Sequence, residues 1–316
     1  MKVCVIFSNG IGDGLMILPA LRALCSDKKS QVFVLADGGF IERVKLDIPR
    51  AKFVNLEFSR KVGCRIFDVE KAVAVAALCD ILISFATWTS QSMRQLTLRL
   101  SNTTGHFDHF HSLIPYDSNI HACDNAFRFV SEDKGDIFDY AWGLKLPLAA
   151  DNFAKAFWSA FHKRLYRIIV HIETLSDKQP DQNWLKIFMG TISKEIPDHL
   201  FIFLGRRGIQ SIFLENNARY AEITDIPFLF SAAILRESDY FVGVDSCFLH
   251  LADLYRMPGC ALFVSTMSRE YGWHFSQSGL QFTTCSQGKK SGDDASHAAH
   301  RAIGQIRLNQ KKHRGA

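Results

Sequence analysis

Near the C-terminus, Gly243-Val-Asp245-Ser246-Cys247-Phe-Leu-His250-Leu-Ala-Asp-Leu254 places an acid and a hydroxyl at the end of an apolar run, Tyr240 to Val244. An amphipathic segment follows, with His250 about one helical turn in. This reads as a strand feeding a helix N-terminus. Unpaired N–H groups and roughly half a positive charge of helix dipole meet there and suit an anion, phosphate above all. The same residues also fit a purely structural role, with Asp245 and Ser246 capping the helix and His250 packed in the core.

The start of the chain offers a second acid. Met1-Lys-Val-Cys-Val-Ile-Phe7 reads as a buried strand, followed by Ser8-Asn-Gly10-Ile-Gly12-Asp13-Gly14 and a helix-forming stretch from Leu15 to Leu24. Alternate glycines allow a tight turn and close approach. A dinucleotide fingerprint is not met, because Gly12 and Gly14 are separated by one residue where that motif has two. Asp37 lies about where a ribose-binding acid would, but Ala-Asp-Gly-Gly reads equally as a turn. Asp13 therefore stands out as a carboxylate at the C-terminal end of a strand, the edge where open α/β sheets hold ligands. It suits a general base or a helix cap. A third segment, His171-Ile-Glu-Thr174-Leu-Ser176-Asp-Lys178-Gln-Pro180-Asp-Gln-Asn-Trp184, follows a strand and precedes a helix that Pro180 and Asp181 would start. A lysine with nearby hydroxyls and free N–H groups suits a diphosphate, although polar loops with a lysine are common.

The elements that hold these loops alternate. Strands are predicted near 2–7, 31–36, 52–56 and 81–85, with helices near 15–25, 67–79 and 89–100. In the second half, strands near 166–171, 200–204, 240–244 and 260–264 alternate with helices near 181–194, 209–217, 227–236 and 246–256. That pattern means doubly wound parallel sheets with helices on both faces. The junction falls between Pro147 and about Lys163. The 316 residues allow about two domains, and 47% hydrophobic with 22% charged residues excludes a disordered chain. Met1 runs straight into a strand, which predicts no signal peptide. The most apolar stretch, 72–86, is broken by Asp80 and falls short of the ~18 residues of a membrane span. Eight cysteines lack any C-x-x-C, the pattern of buried thiols in a reducing cytosol rather than of disulfides or zinc. His106, His109 and His111, with Asp108, match no metal-ligand spacing and read as a solvated loop. A net charge of +5 is mild, and part of it lies in Lys311-Lys-His-Arg314.

In this order the motifs resemble the bacterial heptosyltransferases, family 9 of the glycosyltransferases. Gly12-Asp13-Gly14-Leu15 through Leu18-Pro19-Ala20-Leu21-Arg22-Ala23-Leu24 is similar to that family's N-terminal motif. His171 to Thr174 with Asp177-Lys178-Gln179-Pro180 and Trp184 looks like its donor loop, lacking the tryptophan before the proline. Val242 to Ala252 resembles its Val-Gly-Val-Asp-(Thr/Ser)-Gly-x-x-His-Leu-Ala block, with Cys247 in place of glycine. Pro258 to Thr266 is similar to its following strand and loop.

The resemblance implies a GT-B fold, two Rossmann-like domains facing across a cleft. Residues 1–155 would bind the acceptor and 156–290 the nucleotide sugar. Residues 291–316 would form a helix packing back across both, with a basic tail. It implies an inverting transfer from a nucleotide diphosphate sugar, by family default ADP-heptose, to a hydroxyl of a lipopolysaccharide or other surface glycan. Asp13 would be the base, with Gly10 and Gly12 shaping its loop. Thr174, Lys178, Asp245, Ser246, Cys247 and His250 would hold the donor. No Asp-x-Asp metal pair occurs, so no metal or cofactor is expected, and Lys178, Thr174, His250 and helix N–H groups would neutralise the leaving diphosphate. Two departures weaken the heptose default. The strand ending at Gly205 has no ribose-gripping acid until Glu215, only Arg206 and Arg207, and Cys247 crowds the helix start. Another nucleotide sugar on a protein or small-molecule acceptor is the alternative within the fold. A non-catalytic nucleotide-sugar binder and an NAD-dependent oxidoreductase are the alternatives outside it. The chain is expected in the cytoplasm, without nucleic acid. A basic tract of Arg43, Lys45, Lys52, Arg60, Lys61 and Arg65 suits either an anionic membrane face or an ordinary solvated surface.

Overall fold

All eight strands anticipated from apolar runs form, and each lies parallel to its sheet neighbours. The computed structural model describes residues 1–61, 64–85, 91–103, 110–111, 117, 119–128, 130, 135–161, 165–174, 176–206, 213–214, 218–284 and 293–315. Two compact units divide between Lys145 and Leu146.

The N-terminal unit contains β1 (Lys2–Ile6), α1 (Ile11–Met16), α2 (Leu18–Ser26), β2 (Gln31–Ala36), α3 (Gly38–Val44), β3 (Lys52–Asn55), β4 (Phe58–Lys61), β5 (Cys64–Phe67), α4 (Val69–Ala76), β6 (Ile81–Ser84), α5 (Gln91–Thr103), β7 (Phe110–His111) and α6 (Ala122–Arg128). Its sheet runs β3-β2-β1-β6-β7, with β4 and β5 as a separate antiparallel hairpin. The C-terminal unit contains α7 (Leu148–Ser159), β8 (Arg167–His171), α8 (Gln182–Glu195), β9 (Leu200–Gly205), β10 (Arg219–Thr224), α9 (Phe228–Arg236), β11 (Tyr240–Val244), α10 (Cys247–Leu254), β12 (Gly259–Phe263), α11 (Ser268–Tyr271), β13 (Gly279–Thr283) and α12 (Ala295–Gly315). Its sheet runs β10-β9-β8-β11-β12-β13. Counted within each parallel sheet, the orders are 3-2-1-4-5 and 3-2-1-4-5-6, the Rossmann order.

The central strands are unbroken apolar runs because helices cover both faces of each sheet. Every residue of β11 and β12 is buried, as are Ile168 to His171 of β8. In the N-terminal unit, Arg22 of α2 and Asp47, just after α3, form a buried ion pair. Arg22 also donates to the carbonyls of Tyr140 at 3.0 Å and Gly143 at 3.1 Å, while Asp47 accepts the Lys145 N–H at 3.1 Å. The motif arginine thus clasps the segment that ends its own unit.

Helix α7 packs on α9, with the rings of Phe153 and Phe230 5.1 Å apart and Asp151 3.1 Å from Arg236. The unit boundary consequently precedes α7 instead of cutting it at residue 155. Helix α12 lies along α8, where Ala298, Ala299, Ala302, Ile303 and Ile306 enter the C-terminal core. Trp184 donates its indole N–H to the Asp293 carbonyl at 2.8 Å, pinning the start of α8 beside the chain entering α12. The helix anticipated at 209–217 lies largely outside the described residues, as do His106, Asp108, His109, Arg207 and Glu215. The described cysteines whose state is resolved, Cys4, Cys25, Cys79, Cys123, Cys247 and Cys260, are free thiols, all buried except the half-buried Cys247. Among the described residues no helix is long and apolar enough to cross a membrane.

Candidate functional site

Strand order reverses between β8 and β11, which pair side by side in the C-terminal sheet. Successive connections leave such a point toward opposite faces, opening a crevice at the carboxyl ends of the strands where open α/β sheets bind ligands. Both motif loops of this unit start there: residues 172–178 after β8 and Asp245-Ser246 after β11.

Asp245 is the node that joins them. Its Oδ2 accepts from Lys178 Nζ at 2.7 Å and from Thr266 Oγ1 at 2.6 Å. The Thr174 hydroxyl donates to the Asp245 backbone carbonyl at 3.1 Å. His250 Nε2 stands 3.7 Å from Asp245 Oδ1, beyond hydrogen-bond reach. Three loops, those after β8, β11 and β12, are thereby fastened through one residue. Asp245 and His250 side chains are 4% and 6% exposed, whereas Lys178 is 27% exposed.

Burial by itself would raise the Asp245 carboxyl. The attraction of His250 and Lys178, with hydrogen bonds from Lys178 and Thr266, outweighs it and holds the group below the usual carboxylate range. Burial drives His250 down to about 4, against the pull of Asp245 and with Lys178 adding to the fall. At neutral pH His250 is therefore uncharged, and Lys178 is the cation paired with Asp245. Lys178 also lies 5.9 Å from the ring centroid of Tyr271.

Ser246 is the N-cap of α10, but its side chain makes no capping bond, and its buried Oγ has no hydrogen-bond partner among the described residues. Buried hydroxyls are rarely left unsatisfied, so this one has bonding capacity to offer a ligand. Cys247, the first residue of α10, is half-buried.

Three residues make contacts that the sequence reading did not assign. Thr266 is assigned there only to a following loop, yet it grips Asp245 across 21 positions. His171 is buried; its Nδ1–H donates to the Leu204 carbonyl at 2.8 Å and its ring packs 4.6 Å from that of Phe248 on α10. Burial holds it below the usual histidine range, so it is a neutral spacer between β8 and α10. Asp253 accepts the backbone N–H groups of His274, Phe275 and Ser276 at 2.8–3.0 Å. Burial pushes it up to about 6 against those three bonds. It fixes the turn between α11 and β13.

In the N-terminal unit, Gly10 is the N-cap of α1, and Gly12 and Asp13 lie within its first turn. Asp13 is half-buried at the carboxyl end of β1, beside the reversal between β1 and β6. It is not the cap. Gly14 is required by packing, since a Cβ there would run into the Phe40 ring. Asp37 is settled as a cap of α3, accepting the Phe40 N–H at 3.0 Å. After β9, Glu173 rather than a ribose contact occupies the Arg206 backbone N–H, at 2.7 Å. Of the basic tract, Lys45 pairs with Glu42 and Lys52 lies over the Phe33 ring. Among the described residues no three His, Cys, Asp or Glu side chains group as a metal site.

Two Rossmann-like units of this kind define the GT-B fold, and solved structures of that fold match the whole chain. A family 9 glycosyl transferase from Veillonella parvula superposes with a TM-score of 0.74 at 13% identity, covering 97% of both chains. The ADP-heptose lipopolysaccharide heptosyltransferase II of E. coli matches with a TM-score of 0.68 at 13% identity, over 99% of this chain and 100% of that one. A UDP-GlcNAc 2-epimerase from Neisseria meningitidis follows at 0.53 and 10% identity, over 98% and 93%. The fold resemblance read from the motifs is thus met in the structure. The sequence matches no protein-family model and no curated protein.

Proposed function

We propose that this protein is an inverting glycosyltransferase, moving a sugar from a nucleotide diphosphate donor to an acceptor hydroxyl without a metal ion. The observation that carries the reading is the convergence at the β8–β11 reversal of a lysine, a threonine and an unspent serine hydroxyl at a helix N-terminus. An ammonium, hydroxyls and helix N–H groups are the donors that a diphosphate takes. A neighbour of the same fold is named for ADP-heptose, which makes ADP-heptose the default donor; the absence of an acid in the 206–210 sequence leaves another nucleotide sugar as the alternative.

In the proposed reaction the acceptor oxygen attacks the anomeric carbon from the face opposite the diphosphate. Its proton passes to Asp13, because a hydroxyl with a pKa far above neutrality needs a base as the bond forms. The anomeric carbon–oxygen bond to phosphate breaks, and the electron pair leaves on the diphosphate. Lys178, the Ser246 hydroxyl and the first N–H groups of α10 stabilise that charge. Before the diphosphate arrives, Asp245 holds Lys178 and Thr174 in place. Lys178 supplies the positive charge that a divalent ion would otherwise provide. The acceptor we favour is a lipopolysaccharide or other surface glycan, met at the cytoplasmic face of the membrane.

A thermal-shift screen over ADP-, UDP-, GDP- and CMP-linked sugars tests the reading. A ligand bound only by the folded state raises the melting point by mass action, so one nucleotide class is expected to stand out. With that donor, Asp13→Ala should bind normally and turn over slowly. A flat screen, or stabilisation by NADH alone when it is added as a control, would reject the proposal.

A further inference from the structure

Lys178 is committed to Asp245, at 2.7 Å. A diphosphate arriving at the β8–β11 reversal competes for the same ammonium. The carboxylate it would leave is 4% exposed, so water cannot replace the lysine. Thr266 stays on Oδ2 but brings no charge. The group positioned to respond is His250, buried 3.7 Å from the other oxygen, Oδ1.

Resting on the proposed nucleotide site, we infer that diphosphate binding draws Lys178 off Asp245 and that the Asp245–His250 pair takes up a proton from solvent in exchange. The balance is simple. Lys178 keeps its proton and moves its charge to the phosphate, while one proton enters at His250 and restores a cation beside the buried Asp245 oxygens. Leaving a buried carboxylate uncompensated is strongly unfavourable, and two groups this close titrate as a unit.

The other groups around the pair do not substitute for it. Asp253, on the same helix, is tied to three backbone N–H groups of the 274–276 turn. His171, on β8, faces the Leu204 carbonyl. Tyr271, on α11, borders Lys178 with its ring. Each charge of the incoming diphosphate adds to the pull on the proton. His250 is thus a positioning residue that keeps Asp245 tolerable while its lysine is away.

Calorimetric titration with ADP, UDP and GDP at pH 7.5, in buffers of different ionisation enthalpy, reads the proton directly. That pH lies above the terminal phosphate's second pKa of about 6. For the nucleotide that binds, the heat should vary with buffer to give roughly one proton taken up, with affinity falling up to about tenfold per pH unit above 7. Thr266→Val, which removes a hydrogen bond and no charge, should keep the uptake. His250→Gln and Asp245→Asn should each reduce it to near zero, and their melting curves show whether each is folded; one folded variant suffices. Binding with no proton exchange, or uptake unchanged in the folded variant, would overturn the inference while leaving the nucleotide site standing. Failure of all three nucleotides to bind would overturn both.

Discussion

Lys178→Met should cost more stability than Asp245→Asn, although the two changes break the same ion pair. The difference lies in where water can reach. Removing the lysine leaves a carboxylate that is 4% exposed, whereas removing the carboxylate frees an ammonium that is 27% exposed and can turn outward. Stranding one partner of a fully buried pair costs roughly 3–5 kcal/mol. Partial solvation of this pair brings the expected penalty for Lys178→Met to about 2–3 kcal/mol. Asp245→Asn retains a group that Thr266 can bond, and its penalty should be about 1 kcal/mol, near that of an exposed pair. The double variant strands no charge, so its cost should fall short of the sum by about 1–2 kcal/mol. Urea unfolding of the four proteins at pH 7.5 measures these values from midpoints at constant slope. The Lys178→Met penalty should also shrink on acidification to pH 5.5. The variant's native state then binds a proton at the Asp245–His250 pair that the wild type does not, so rising proton concentration favours it. Equal single penalties, strict additivity, or a penalty constant with pH would refute the reasoning.

Asp13→Ala is expected to cut turnover ~10²–10⁴-fold with donor affinity little changed, measured as nucleotide release with the donor that the screen identifies. Lys178→Ala should weaken nucleotide binding as well as rate, read by calorimetry. Arg22→Met strands the buried Asp47 and should lower N-terminal stability by roughly 3–5 kcal/mol, seen by thermal unfolding without loss of nucleotide binding. His250, depressed from 6.5 to about 4, contributes stability that is complete above pH 6.5 and lost as pH falls toward 4, roughly 3 kcal/mol in all. Asp253, raised from 3.8 to about 6, acts in the opposite sense: its contribution is present below 3.8 and lost as pH rises through 6. The wild-type stability profile between pH 4 and 6 should therefore be shallow, and His250→Gln should gain stability relative to it on acidification.

The parallel strands were legible because burial on both faces leaves only apolar residues, as in Tyr240 to Val244. Elements with one solvated face were not. β10, Arg219 to Thr224, has no fully buried residue and carries four charged or hydroxyl side chains, so no apolar run marks it. α3 was concealed by Gly38 and Gly39, which read as a turn until Asp37 is seen to cap it. The hairpin Phe58–Lys61 with Cys64–Phe67 is too polar and short to announce itself. At the site, residue types and their loops were readable because three such segments occur in one order along the chain, although each alone also fits a structural role. The partnerships were not. Lys178 and Asp245 meet across 67 positions, and Thr266 reaches Asp245 across 21. Nor does a sequence disclose that His250 is buried deeply enough to be neutral. Among the described residues of the site, that state leaves Lys178 as the charged side-chain donor.

The claim that the β8–β11 reversal is a diphosphate site meets its most direct test in a crystal structure with the nucleoside diphosphate that binds. The account predicts phosphate oxygens within ~3 Å of Lys178 Nζ and of the Ser246 hydroxyl or the first N–H groups of α10. A nucleotide bound elsewhere in the chain, with Lys178 still on Asp245, would contradict it.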